Sequence, residues 1–411
     1  MLPFLKTYKK EIEKLENVST DFRPPNHWYS IGNFAANRIL SGDFHRGIPQ
    51  GRITILAGPS DTGKSYLLSN IMKSAQTDGA FILAIDTENA LDHEYLGRIG
   101  VKTDENSFLG LSVVTISDVV SVVSDFIKQY EKEYGKYNEN APKVLIAIDS
   151  LDMLLTETEN EHFNAGVQKG DQGQRAKQLK AFLRTTVSRI KALNIAFIGT
   201  HQVYPADVLE GEGKWKINNA IRYSASQIVL ITKLKLKEEG EVSGIRMYLE
   251  TFKSRFAKLG SKVEIIVPYD KGMNPYSGLL DLLEADGVVQ KNGAWYQCKF
   301  NETDPPLKFQ STKMDQALAE KLLAHPMIKL NASRFDDQLR TPETPEELGL
   351  ADDRVTSDLK EASDDLKQVL SPQDAARLKA LQELEVAAQL LKDNASKNGI
   401  ALDLAEATGL K

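Results

Sequence analysis

The sequence predicts an α/β fold: a mostly parallel central sheet covered by helices on both faces. Three observations carry that prediction. Strand-like runs recur through the middle of the chain, and the first five are nearly continuous in apolar residues, as expected of strands buried on both faces. Helical patterns separate most of these runs, and strand–helix alternation implies parallel pairing through helical crossovers. The last three runs are joined by shorter charged linkers such as "KEEGEVSG" and read as an antiparallel extension.

Taken in order, residues 1–17 carry Leu5, Tyr8, Ile12 and Leu15 at helical spacing and predict an amphipathic helix, which "STDFRPPNHW" breaks off as a linker. A helix so separated from the core needs a partner, in the same chain or in a neighbouring copy. The core runs begin with "RITILAG" (52–58), a helix over 64–77, and "AFILAID" (80–86). They continue with "LSVVTIS" (111–117), a helix over 118–134, "KVLIAIDS" (143–150), a helix over 174–192 and "IAFIGTHQ" (195–202). The extension comprises "QIVLITKLKLK" (227–237), "IRMYLETFKS" (245–254) and "KVEIIVPYD" (262–270). Beyond about residue 305 the character changes. Between Phe335 and Leu370 there are eleven acidic residues against four basic ones, with two Thr-Pro turns, which predicts an acidic, partly disordered segment. A helical pattern returns over 372–393, so the whole divides into an N-terminal helix and linker (1–29), a core (30–300) and a smaller helical and acidic C-terminal region (301–411).

Composition narrows the function classes. At 411 residues and 41% hydrophobic the chain can bury a large core, and no run approaches the eighteen or so uncharged apolar residues of a membrane span. The N-terminus turns charged at once and lacks the apolar stretch of a signal peptide, so a cytoplasmic setting is expected, with no membrane partner. Cys298 is the sole cysteine, which excludes a disulfide framework and a thiolate metal cluster. A net charge of −6 counts against a passive nucleic-acid binder but leaves room for a local basic groove.

The chemistry is concentrated at strand ends. Gly58-Pro59-Ser60-Asp61-Thr62-Gly63-Lys64-Ser65 fits G-x-x-x-x-G-K-S, followed by Tyr66 and a helix. In such a loop the glycines let successive backbone N–H groups turn inward around a triphosphate, while Lys64 reaches the β/γ oxygens and the Ser65 hydroxyl holds Mg²⁺. "VLIAIDS" ends in Asp149, a Walker B carboxylate placed beside that Mg²⁺ at the carboxyl edge of the sheet. Together they predict an NTPase. Ser150 and Leu151 occupy the positions where many such enzymes carry a catalytic glutamate, so the candidate is Glu88 in "AIDTENALDHEYL". From the neighbouring strand it could polarise the attacking water; alternatively it is a carboxylate favoured at a helix N-terminus by the macrodipole.

At this point the residues carry a resemblance. "DTENALDHEYLGRIGV" resembles the segment after the second core strand of bacterial RecA, and "GPSDTGKS", "VLIAIDS" and the His201-Gln202 pair follow in RecA order. Within that family the phage UvsX-type recombinases are similar over "FKSRFAKLGSKVEI" and "GMNPYSGLLDLLEADGVVQKNGAWY" (272–296). The resemblance covers about residues 30–300. It implies a RecA-like P-loop ATPase core with Glu88 as catalytic base, Tyr95 stacking on adenine, and Gln202 sensing the γ-phosphate. Lys253 and Arg255 match the cations that RecA-like filaments donate to a neighbour's triphosphate. Two loops, roughly 157–174 and 203–222, would face DNA. Lys169, Arg175, Lys214, Lys216 and Arg222 would contact phosphates and Trp215 would stack on a base. The second loop departs from the family, because it lacks the usual glycine cluster and carries acidic residues. The resemblance further implies an ATP- and Mg²⁺-dependent, DNA-stimulated ATPase. It would form a helical filament with itself on single-stranded DNA and pair it with duplex DNA, alongside single-strand-binding and mediator proteins. The N-terminal helix would dock on the adjacent protomer, and the acidic tail would compete with DNA, bind accessory proteins or merely solubilise the chain. The rivals are a RecA-fold helicase motor, against which "ENALDHEYL" speaks, and a paralogue or mediator that scaffolds without exchanging strands.

Overall fold

The computed structural model describes residues 3–12, 24–167, 169, 173–205, 215–301 and 305–328. In chain order, α1 (Pro3–Ile12) is followed by β1 (Trp28–Tyr29), α2 (Phe34–Ser41) and β2 (Ile48–Pro49), with β1 and β2 paired antiparallel. The core continues through β3 (Ile53–Gly58), α3 (Lys64–Thr77), β4 (Phe81–Asp86), α4 (His93–Ile99) and β5 (Phe108–Ser112). Next come α5 (Ile116–Tyr134), β6 (Val144–Asp149), α6 (Glu157–Asn164), α7 (Gln174–Leu193) and β7 (Ala196–Gln202). A ribbon of β8 (Tyr204–Pro205) and β9 (Trp215–Lys216) precedes α8 (Asn219–Ser224), β10 (Gln227–Glu238), β11 (Glu241–Ser254) and β12 (Lys262–Pro268). The described chain finishes with α9 (Leu279–Ala285), β13 (Gln290–Asn292), β14 (Trp295–Cys298), β15 (Leu307–Gln310) and α10 (Gln316–Leu323).

Eight strands form the main sheet in the order β12-β11-β10-β3-β7-β6-β4-β5. The six strands from β10 to β5 are parallel, and β11 and β12 add an antiparallel edge. This is the mixed, mostly parallel sheet that the alternation of runs predicts. The strands read as continuous apolar runs because both faces are covered. Every residue of β3 and β6 is buried. Alternate side chains point to opposite faces. Leu56, Ala84, Leu145, Ala147 and Ile198 therefore pack with Leu67, Leu68, Ile71 and Met72 of α3. Ile53, Ile55, Ile146, Ile148 and Phe197 pack instead with Val119 and Ile127 of α5 and with Phe182 and Leu183 of α7. The chain leaves β3 along one face and returns from β5 along the other, as right-handed crossovers require.

Three expectations are corrected. The run 111–117 is not one strand. β5 ends at Ser112, and Thr115 caps α5 by accepting the Asp118 backbone N–H, so the apolar residues from Ile116 onward belong to the helix. The polar stretch from 157 is not all loop, because Thr156 and Glu159 form a capping box that starts α6. Nor does the chain divide at 300: β14 pairs with β15 across that point. One small core containing Leu283, Val289, Tyr296, Phe309 and Leu322 unites α9, the three-stranded sheet and α10. Leu15 and the segments expected to be acidic (335–370) and helical (372–393) lie outside the described residues.

Phe197 is fully buried, 6.0 Å from Phe182 across the sheet–α7 interface. Phe197→Ala is expected to cost about 3–5 kcal/mol, since the rigid sheet cannot close the cavity. Chemical denaturation followed by far-UV circular dichroism would register the loss.

Candidate active site

Register brings the site together. Gly58 on β3 stands opposite Gln202 on β7, and Asp86 on β4 opposite Asp149 on β6, so four strands end at one edge of the sheet. The cleft there is lined by Ser60, Asp61, Gly63, Lys64, Ser65, Tyr66, Glu88, Tyr95, Asp149, Ser150 and Gln202, together with Lys233 from β10. Of the expected nucleotide-binding residues, Gly58, Pro59 and Thr62 form the floor rather than the lining. The Lys64 ammonium donates to the carbonyls of Gly58 (3.1 Å) and Pro59 (2.8 Å), and the Thr62 hydroxyl to that of Pro59 (2.9 Å).

A backbone contact requires glycine at position 58, and backbone conformation requires it at position 63. A Cβ at Gly58 would lie 2.5 Å from the Ile231 carbonyl oxygen, and one at Gly63 would lie 2.6 Å from Met247 Cε. Gly63 also has a φ of 91°, in the left-handed region, where the chain turns into α3 without a side-chain cap. The first N–H groups of α3 are thus free to meet an anion.

The charges in the cleft are held against their preferences. Burial lowers the Lys64 pKa, and the carboxylates of Glu88, Asp149, Asp152 and Asp61 counter this. Burial raises that of Asp149, which is 1% exposed; the hydroxyls of Thr200 and Ser65 pull the other way, and the charges of Glu88 and Asp86 add to the rise. Asp149 Oδ1 accepts from Thr200, whereas Oδ2 is buried without a hydrogen bond. A buried, unpartnered carboxylate oxygen beside a serine at the phosphate loop suits a hard cation that takes oxygen ligands. Among the described residues no cluster of three or more His, Cys, Asp or Glu could cage a metal unaided. Ser65 and Asp149 therefore fit a Mg²⁺ that arrives with a nucleotide and its waters.

Glu88 is exposed at the cleft, and its backbone N–H donates to Asp86 Oδ1 at 3.0 Å. The Leu91 N–H donates to the other Asp86 oxygen at 2.9 Å, which fixes the turn carrying Glu88. The helix-terminus alternative loses support: α4 is capped by Asp92, and the acid in its first turn is Glu94. Thr87 ties this turn to β6, its hydroxyl donating to the Ser150 carbonyl and accepting the Ser150 N–H, both at 2.8 Å. Tyr66 and Tyr95 form an aromatic wall, with the Tyr66 hydroxyl accepting the Met273 N–H at 2.8 Å. The Gln202 carboxamide donates to the Ser60 hydroxyl at 2.8 Å, so the expected sensor rests on the phosphate loop itself.

Lys253 and Arg255 are not in this cleft. Lys253 pairs with Ile228, three residues back along β10 from Ile231, the residue that abuts Gly58. At about 3.3 Å per residue that is roughly 10 Å along the strand, away from the carboxyl edge. There Lys253 donates to the Arg222 carbonyl, and its pKa is lowered by burial and then by the charges of Arg255 and Arg222. Arg222, expected to meet DNA, thus sits in the Lys253 cluster, with its guanidinium 6.0 Å from the Phe252 ring centroid.

The other DNA candidates disperse. Lys169 and Lys216 are exposed, and Lys214 lies outside the described residues. Arg175 donates to the Asp152 carbonyl at 3.0 Å. Trp215 is half-buried against the core rather than presented for stacking, and the exposed aromatic of the ribbon is Tyr204, opposite Lys216. Tyr204, Lys233 and Asp152 are not among the residues the sequence points to. Tyr204 could have been noticed as an aromatic two residues past the sensor; the other two carry no local signal.

Asp149→Asn tests the electrostatics. The folded-state pKa lies above the ordinary 3.8, so the folded protein binds more protons and loses stability as pH rises through that window. Removing the charge is expected to raise the melting temperature of the nucleotide-free protein at neutral pH. It should also abolish the further rise that Mg²⁺-ATP confers on the wild type. Differential scanning calorimetry with and without Mg²⁺-ATP reads both.

Three relatives illustrate where the chain falls. It is 27% identical to the RecA protein of Oleidesulfovibrio alaskensis over 289 residues, covering 68% of this chain and 78% of the relative. It is 28% identical over 330 residues to the RecA protein of Pseudomonas savastanoi pv. phaseolicola, covering 78% and 85%. With the recombination and repair protein of Enterobacteria phage T4 it shares 29% over 269 residues, covering 64% and 65%. The family model for the RecA N-terminal domain matches residues 27–274, more than half of the 411, and the chain belongs to the RecA family.

Proposed function

We propose that the protein is an ATP-dependent DNA recombinase that assembles as a filament on single-stranded DNA, pairs it with homologous duplex and exchanges strands. The observation that carries this reading is the division of the machinery. The cleft brings together the residues expected to bind phosphate, hold the metal, activate water and sense the γ-phosphate, while Lys253 and Arg255 are not among its lining residues. Cations supplied by a neighbouring copy make hydrolysis depend on assembly, as an arginine finger does. The names of the relatives, RecA and a phage recombination and repair protein, support recombination as the purpose of that assembly.

In this mechanism the N-terminus of α3 and Lys64 bind the β/γ-phosphates, and Tyr66 and Tyr95 flank the base. Ser65 and Asp149 would hold Mg²⁺, which would supply charge neutralisation at the transferring phosphoryl group. Glu88 orients the attacking water and accepts its proton, and Lys253 and Arg255 of the adjacent copy stabilise the charge that develops. Gln202 exchanges Ser60 for the γ-phosphate and so reports the nucleotide state to the segment that follows β7. Lys169 and Lys216 contact DNA phosphates, and Tyr204 is better placed than Trp215 to stack on a base. A nucleotide-binding paralogue without exchange activity would differ in leaving hydrolysis independent of DNA.

Assembly draws on α1. Phe4 and Tyr8 are 63% and 54% exposed, an apolar stripe in need of cover. A cavity of about 430 Å³ between α5 and α7, lined by Val120, Ile127 and Phe182, suits such a helix from a second copy. Phe4→Ala with Tyr8→Ala is expected to leave the unfolding free energy within about 0.5 kcal/mol of the wild type. The same change should weaken self-association, seen as smaller particles in analytical ultracentrifugation with ATP.

The trans arrangement has a direct test. Glu88→Gln is expected to bind ATP normally while hydrolysing it at least about a hundredfold more slowly. The double variant Lys253→Ala, Arg255→Ala should be equally inactive by itself. Mixed on single-stranded DNA, the first lends its cations to the intact clefts of the second, and hydrolysis should rise well above the sum of the two. A mixture no more active than that sum rules out donation across the interface.

A further inference from the structure

The turn after β6 carries a carboxylate that none of this chemistry uses. Asp152 takes two partners from the end of β7: the Gln202 backbone N–H donates to Oδ2 at 2.6 Å, and His201 Nδ1 lies 2.9 Å from both oxygens. His201 is 3% exposed, and its other nitrogen, Nε2, accepts the Asn218 backbone N–H at 3.2 Å. An accepting Nε2 carries no proton, so this network assigns the proton to Nδ1, which donates to Asp152 from a neutral ring. Asn218 is the N-cap of α8, the point where the second loop returns to the core. The Asp152 carbonyl, in turn, accepts from Arg175 in the first turn of α7, where the first loop ends.

We propose that Asp152 and His201 are positioning residues, a rigid relay that ties the nucleotide sensor Gln202 to the returning ends of both DNA-facing loops. Gln202 and Asn218 bracket the second loop, and both are held by one carboxylate–imidazole pair. When the Gln202 side chain leaves Ser60 for a phosphate, any shift of its backbone N–H displaces the Asp152 carboxylate. Through the ring, that shift also moves the Asn218 amide. The bond to Gln202 is charge-assisted and the imidazole is buried, which stiffens both links. Neither residue touches nucleotide or DNA; both act through Gln202 and Asn218. The inference rests on the recombinase reading, which makes DNA the ligand of the loops.

The test compares ATP affinity without DNA, read with a fluorescent ATP analogue, and the single-stranded DNA concentration that half-maximally stimulates hydrolysis. His201→Asn keeps an N–H at the Nδ1 position for Asp152 but cannot reach Asn218. His201→Gln places an acceptor near the Nε2 position and can. His201→Asn is expected to raise the half-maximal DNA concentration about tenfold, as loss of one buried hydrogen bond would, with ATP affinity within about twofold of the wild type. His201→Gln should recover part of that loss. Asp152→Asn, which does not open the core, should shift DNA dependence in the same direction. Wild-type behaviour of His201→Asn or of Asp152→Asn overturns the relay, as does equal damage to both quantities in the Asn and Gln variants, the mark of simple core damage. A wild type whose hydrolysis ignores DNA removes the recombinase reading and the relay with it; a responsive wild type matched by His201→Asn removes the relay alone.

Discussion

Parallel register is the constraint on which the rest of the molecule depends. With Gly58 opposite Gln202 and Asp86 opposite Asp149, the residues that end four strands share one edge of the sheet. Because β3 and β6 are buried on both faces, a slip of one residue would exchange the side chains packed on α3 for those packed on α5 and α7. The apolar packing therefore locates the glycine-rich loop, Asp149 and Gln202 together. Glu88 is placed at second hand, by a turn whose N–H groups are held by Asp86 at the end of β4.

The same edge concentrates destabilising charge. Burial disfavours the charged forms of both Lys64 and Asp149, and Asp149 keeps one oxygen without a hydrogen bond. A site organised for folding alone would replace them with apolar groups; a site organised for a metal-bound polyanion keeps them and is relieved on binding. At the other end of β10 the Lys253 pKa is likewise lowered, by burial and then by the charges of Arg255 and Arg222. In the proposed assembly the cleft of one copy and the cations of the next would complete one another.

Much of this was legible in the sequence, for physical reasons that also explain the misses. Doubly covered strands leave continuous apolar runs, so β3, β4, β6 and β7 were visible within a residue or two, and the helix over 64–77 matches α3 (Lys64–Thr77). The run at 111–117 misled because its β-branched residues favour a strand, and the Thr115 cap overrides that preference. The capping box at Thr156 and Glu159 was in plain view but overshadowed by the polarity around it. The residues of the cleft are encoded locally, by spacing from a strand end. Contacts such as Asp152 with His201, or Lys253 with the Arg222 carbonyl, join segments whose pairing exists only once the sheet has formed. Trp215 stands between two lysines in the sequence, and its half-buried packing against the core is a contact that no local pattern announces.

The measurement that bears most directly on a site completed between neighbours is the steady-state rate of ATP hydrolysis over a range of protein concentrations, with and without long single-stranded DNA. If copies complete one another on DNA, the rate per protomer rises steeply and cooperatively with protein concentration when DNA is present and stays low when it is absent. A rate per protomer indifferent to both DNA and concentration would mean that each chain hydrolyses ATP unaided, and the shared site would have to be given up.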